Sequence, residues 1–175
     1  LLNKTIAIAP RLLTATEFSA YGEVVSTANA RKVLAVNDGR AQRFTRLATQ
    51  HSLTTDLKQE LSLYRLSPSS LPIEANYFER HPLTTQLFYP LCNARYLVLV
   101  CPTMADGMPD AAHAQAWLAE PGIGINYHAG VWHYPLVALD DGGDFLMLMA
   151  EGAGAQDCET AQLSITVRVN PLPAH

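Results

Sequence analysis

Two histidines, His128 and His133, lie five residues apart in the stretch Gly122-Ile-Gly-Ile-Asn-Tyr-His-Ala-Gly-Val-Trp-His-Tyr-Pro-Leu136, one on either side of Gly130. Imidazole titrates near neutral pH and ligates divalent metals through a neutral ring nitrogen, so such a pair suits proton transfer or a metal site. A second group stands upstream in Phe78-Glu-Arg-His-Pro-Leu-Thr-Thr-Gln-Leu-Phe-Tyr-Pro90. Glu79 and His81 are two apart, so on a strand they face one side while Arg80 faces the other. Gln86 follows His81 by five, and Asn93 follows Gln86 by seven. A carboxylate, two or three imidazoles and an amide converging on one space would serve acid–base chemistry or hold a metal.

The elements that must position these groups read mainly as strands. Ile123 and Ile125 alternate with Gly124 and Asn126, which is strand periodicity. His128-Ala-Gly130 reads as a tight turn, since glycine supplies positive φ without steric cost. Trp132-His133-Tyr134 begins a return strand that residues 136–139 continue. The expected hairpin would aim His128 and His133 into one space, and alternation sends Trp132 to the opposite face, into packing.

Elsewhere, Thr14-Ala-Thr-Glu17 is a capping box opening a short helix to Tyr21, with Gly22 as its stop. Val24 and Val25 open the first strand. Residues 32–36 and 43–47 form a hairpin around Asn37-Asp38-Gly39. Strands are expected at 62–66, 73–79, 86–89, 95–100, 144–150 and 163–169. Met147 and Met149 are read as core alternation. Turn signals sit at 68–72 and 140–143, a loop at 102–109, and a second helix at 110–118 with Asp110 as N-cap. Many short strands with two short helices predict an all-β protein, a closed antiparallel barrel or jelly roll, as a single domain over residues 1–175.

Bulk properties exclude several classes. At 175 residues, 49% hydrophobic and 16% charged, the chain supports one real core and is not of disordered composition. The net charge of −4 and the absence of a marked basic cluster argue against nucleic acid as a partner. No apolar run is long enough to span a bilayer, and the first ten residues are too short and interrupted for a signal peptide. Cys92, Cys101 and Cys158 have no metal-binding spacing, and an odd count fits a reducing cytoplasm. Cys158 is expected to be a small packed residue. His51, His113 and His175 look incidental.

The two histidine stretches resemble the motifs of the cupin superfamily. In the second motif Gly122, His128, Gly130 and His133 keep the spacing, with His128 in the proline place. In the first, Glu79 stands where a histidine is expected, Gln86 where a glutamate is expected and Asn93 where a glycine is expected. Over a longer span the chain is similar to the ureidoglycolate lyase family. The carriers, in order, are Phe18–Val25, Asn37-Asp-Gly39 with Arg43-Phe44, Glu79–Leu83, Asn126-Tyr-His128, Val131-Trp-His133 with Pro135-Leu136, and Asp157-Cys158.

That resemblance implies a cupin-like barrel, a homodimer, and cleavage of (S)-ureidoglycolate to glyoxylate and urea in purine catabolism through allantoin. The chemistry then needs a base for the hydroxyl proton, an acid for the leaving nitrogen and a holder for the carboxylate. His133 or His81 is the base, His128 a candidate acid, and Glu79 either orients a histidine or is itself the base. Glu79, His81, Gln86 and His133 are compatible with a divalent metal (nickel, manganese or zinc) without requiring one, and no organic cofactor is implied. Asn37, Arg43, Arg65 and Asn126 are the candidate substrate-binding residues, arginine for its bidentate fit to a carboxylate. The alternatives are a ureidoglycolate amidohydrolase releasing ammonia and carbon dioxide, a non-catalytic cupin that binds a small acid, and a metal-dependent oxygenase on the same barrel, for which the first motif supplies too little histidine.

Overall fold

The computed structural model describes residues 4–54 and 56–171; His175 lies outside them. The strands are β1 (Lys4–Ile8), β2 (Arg11–Leu12), β3 (Gly22–Val25), β4 (Lys32–Val36), β5 (Ala41–Thr45), β6 (Lys58–Leu66), β7 (Ile73–Arg80), β8 (Gln86–Pro90), β9 (Tyr96–Cys101), β10 (Gln115–Ala119), β11 (Gly124–Tyr127), β12 (Trp132–His133), β13 (Val137–Ala138), β14 (Gly143–Glu151) and β15 (Glu159–Val169). The helix α1 (Ala15–Phe18) is capped as read, with the Thr14 hydroxyl accepting from the Glu17 N–H. Three short 3₁₀ turns complete the chain.

Two sheets pack face to face in a mainly β architecture. The larger runs β1-β15-β7-β12-β9-β10-β2, with β13 also on β9; the smaller runs β3-β11-β8-β14-β6. Their inner faces are apolar. One core gathers Phe18, Tyr96, Trp117, Ile125, Tyr127, Phe145 and Met147 between the sheets. A second gathers Phe78, Leu97, Leu99, Trp132 and Val167 on the far side of the larger sheet. β9 contributes to both cores because each of its six residues is buried, the pattern of a central strand covered on both faces.

Four expectations are corrected. Residues 110–118 are not a helix: a 3₁₀ turn at Ala111–His113 leads into strand β10. Good helix formers lose here to burial, because β10 fills a place between β9 and β2 with Trp117 fully buried. The Asp110 carboxylate meets the His113 ring and makes no cap. The stretch around Gly130 is not a hairpin either. β11 belongs to the smaller sheet and β12 to the larger, so the turn carries the chain from one sheet to the other. Residues 136–139 form the separate strand β13. The fold class itself is as expected, mainly β and antiparallel in its central pairings. Among the described residues, parallel pairs occur only at the two ends of the larger sheet, β1 with β15 and β2 with β10.

The hairpin β4–β5 appears, its second strand two residues earlier than read, with Asn37 and Asp38 in the left-handed region at its tip. It forms a two-stranded sheet by itself and joins neither of the other two.

Candidate active site

A cavity of about 650 Å³ opens between the sheets, and Glu79, His81, Gln86 and His133 all line it. The larger sheet supplies Glu79 from β7 and His133 from β12, directly opposite one another in register. His81 follows one residue beyond β7. Gln86 comes from the facing sheet, on β8, where it pairs with Tyr127 of β11 and Met149 of β14. Arg80 takes the other face as expected, over the Trp132 ring and paired with Glu159.

Both histidines have their tautomer set by the backbone. His81 Nδ1 is 2.6 Å from the Asp157 carbonyl oxygen and His133 Nδ1 is 2.9 Å from that of Val131. A carbonyl only accepts, so each Nδ1 carries the hydrogen and each Nε2 presents a lone pair. Burial pushes the His133 imidazole down to about 4, so it is neutral at pH 7. The Tyr127 ring stacks on it, with centroids 4.4 Å apart and planes 16° from parallel. Burial holds the Glu79 carboxyl above the usual carboxylate range, opposed in part by His81.

Glu79, His81 and His133 offer ligand atoms all within 4.8 Å of one another. Glu79 Oε1 lies 3.7 Å from His133 Nε2, which is buried without a hydrogen-bond partner, as is Gln86 Oε1. Neutral Nε2 and carboxylate oxygen are both acceptors, so a cation or a shared proton is what suits the space between them. Two imidazoles and a carboxylate form a donor set compatible with a divalent metal ion.

The other candidates fall elsewhere. His128 is exposed in the turn and does not line the cavity, because the chain crosses between sheets there. Tyr64 and Leu66 line the cavity, so Arg65 between them points outward, bidentate to Asp144 at 2.7 and 2.9 Å. Asn126 is fully buried, but alternation sends it to the face opposite Tyr127. There its amide donates to Glu23 and the Thr49 carbonyl and accepts from Gln50, pinning the chain after β5 against the outside of the smaller sheet. Asn37 and Arg43 are exposed on the β4–β5 hairpin and outside the cavity lining.

Three contributors escaped the sequence reading. Tyr127 follows from alternation once Asn126 is known to face out. Asp157 is buried and accepts hydrogen bonds from the Leu83 N–H and the Thr84 hydroxyl, which ties the segment before β15 to the His81 loop. Cys158 is not packed but exposed at the cavity, where burial of its thiol still raises its pKa. Asp157-Cys158 stood out in the sequence only as a dipeptide, without a signal of its role.

Among the described residues the cavity lining holds the carboxyl groups of Glu79, Glu151 and Asp157 and the imidazoles of His81 and His133, and no arginine or lysine.

The chain matches the family model described as ureidoglycolate lyase over residues 5–170. It is 36% identical over 151 residues to a ureidoglycolate lyase of Burkholderia mallei (strain NCTC 10229), covering 86% of this chain and 85% of that one. It is 33% identical over 151 residues to one from Pseudomonas fluorescens (strain Pf0-1), covering 86% and 87%. With one from Salmonella typhimurium (strain LT2) it shares 34% identity over 146 residues, covering 83% and 88%. Among solved structures, a TDP-quinovose 3,4-ketoisomerase from Campylobacter jejuni superposes with a TM-score of 0.45 at 11% identity, covering 78% of this chain and 89% of that one. A match spanning nearly the whole described chain, with three such relatives above 30% identity, places this protein in the ureidoglycolate lyase family.

Proposed function

We propose that this protein is a ureidoglycolate lyase, cleaving (S)-ureidoglycolate to glyoxylate and urea in purine catabolism. The observation that carries the site is the cluster of Glu79, His81 and His133 with both histidine lone pairs turned inward. Glu79, His81 and His133, with the Gln86 amide oxygen, are the residues that would hold a divalent metal. Bound there, it would supply a Lewis acid for the substrate's carboxylate and hydroxyl oxygens.

The reaction moves one proton from oxygen to nitrogen. Glu79 takes the hydroxyl proton as the carbonyl forms. The C–N bond opens, and the same carboxyl returns the proton to the departing urea nitrogen. With no ion bound, burial raises the Glu79 carboxyl, which suits this shuttle because it then holds a proton more readily than an exposed glutamate. His81 and His133 each offer one free Nε2, which would hold the metal when it is bound and would accept a substrate hydrogen when it is not, and the stacked Tyr127 shields one face of His133 from water. This assignment removes His128 as the acid. A cytoplasmic, homodimeric enzyme is part of the same reading. Three free cysteines support the compartment, and the open edge of β6 supports assembly.

The rival reaction, hydrolysis of the ureido group, also yields glyoxylate but releases ammonia. Purified protein turned over with (S)-ureidoglycolate should form urea and glyoxylate in equal amounts. Ammonia in place of urea would replace the lyase reading with the amidohydrolase, and no turnover would leave a binding protein.

A further inference from the structure

Among the described residues the cavity lining has no lysine or arginine, and five of the chain's cations cluster elsewhere, a grouping the sequence reading passed over; Lys4 on β1 and Lys58 on β6 are the other two cations without an ion pair. Arg31, Lys32, Arg40, Arg43 and Arg46 are five of the 12 lysines and arginines, all within or beside the β4–β5 hairpin, and Asp38 is the one acid among them. The arginines outside this arm are ion-paired: Arg11, Arg65, Arg80, Arg95 and Arg168 each meet a carboxylate. Within the arm only Arg40 is, to its neighbour Asp38; among the described residues Arg31, Lys32, Arg43 and Arg46 form no ion pair.

The arm's position keeps it from its own cavity. It springs from β3, at one end of the smaller sheet, and the chain after it is pinned to that sheet's outer face through Asn126 and Glu23. The cavity is on the inner face, toward the opposite edge strand β6. A two-stranded hairpin standing alone is marginal in water, so this one needs a surface to rest on. The β6 edge provides such a surface. Its outer side is unpaired; Tyr64 and Leu66 form the cavity wall on one face of the strand, while Leu61 and Leu63, 63% and 65% exposed, stand with Arg65 on the other face beside the same edge. Arm and cavity are complementary in charge, basic against a lining that carries Glu79, Glu151 and Asp157.

We infer that the β4–β5 arm of a second copy of this chain seats on the β6 edge and completes the cavity, with its Arg43 binding the substrate's carboxylate. The inference rests on the proposed substrate for the role of Arg43, but not for the seat of the arm. A two-fold axis makes the exchange reciprocal, so each cavity is built from both copies.

Two experiments test it. The first needs no substrate: a benzophenone amino acid is placed at Gln42, at the exposed middle of β5, and irradiated at micromolar protein concentration. Crosslinks between copies that map to β6 or to residues 150–154 are expected. Crosslinks confined to one chain, or joining copies elsewhere, would overturn the arm's seat. The second co-expresses Arg43→Ala and Glu79→Gln chains under different tags and purifies heterodimers through both. Each parent homodimer should be slow, with kcat/KM for Arg43→Ala down about a hundredfold, mainly through KM. The heterodimer holds one cavity with an intact Glu79 facing an intact Arg43, so about half of the wild-type rate should return. A heterodimer as slow as its parents would overturn the shared site. Crosslinks at β6 with a wild type that does not turn over ureidoglycolate would reject the substrate and leave the arm standing.

Discussion

His133 should make the fold sensitive to acid. Its ordinary value of 6.5 falls to about 4 in the folded chain, chiefly because burial disfavours the imidazolium. Between those values the unfolded chain binds a proton that the folded chain does not, so stability falls as pH drops from about 6.5 to about 4. At 1.36 kcal/mol per unit, going from pH 7 to pH 4.5 costs about 2.5 kcal/mol. Glu79 acts in the opposite sense, since a raised carboxyl favours the fold at low pH, and a difference between two proteins isolates the histidine. The comparison is wild type against His133→Phe, whose ring can keep the stack on Tyr127. Guanidinium unfolding is followed at both pH values in chelator, because a bound metal would add its own linkage. Wild type should lose about 2.5 kcal/mol more than His133→Phe on acidification. Equal losses would refute a neutral, buried His133.

Asp157→Ala leaves the Leu83 N–H and the Thr84 hydroxyl without their acceptor, and should cost about 2 kcal/mol in denaturant unfolding and lower kcat by loosening His81; an unchanged midpoint would remove Asp157 as the tie. Asn126→Ala should cost about 1–3 kcal/mol, because Glu23 and Gln50 lose their partner, yet leave kcat within about twofold. A large fall in kcat with unchanged thermal stability would return Asn126 to the chemistry. Protein purified without chelator should carry about one divalent metal per chain, and Glu79→Gln and His81→Ala should each lose most of it; a metal-free wild type with full activity would reject the metal.

The strands were legible because alternation and turn residues are local signals, and so was the Thr14 N-cap, although the Glu17 carboxylate turns to Arg11 instead of closing a capping box. β10 was not, since Gln115–Ala119 suits a helix in isolation and becomes a strand only between β9 and β2. The same limit applies to the site. The i, i+2 spacing of Glu79 and His81 placed them on one face, and the spacing of His133 from Gly130 marked it. His128 and Asn126 depend on which sheet each neighbouring strand joins, and Arg65 on which face of β6 turns inward. Such choices are made by contacts distant in sequence. Asp157 reaches the site through its carbonyl's contact with His81 and its carboxylate's bonds to Leu83 and Thr84, all more than 70 residues away in sequence.

The most direct test of the account is urea release from (S)-ureidoglycolate by folded His133→Ala beside His113→Ala. His133 is buried in the cavity wall, whereas His113 is exposed on the 3₁₀ turn and bonded to Asp110. His133→Ala should lose about a hundredfold or more in kcat through lost positioning of the reacting groups, and His113→Ala should match wild type. A folded His133→Ala protein that releases urea at a near-normal rate would contradict the site as described.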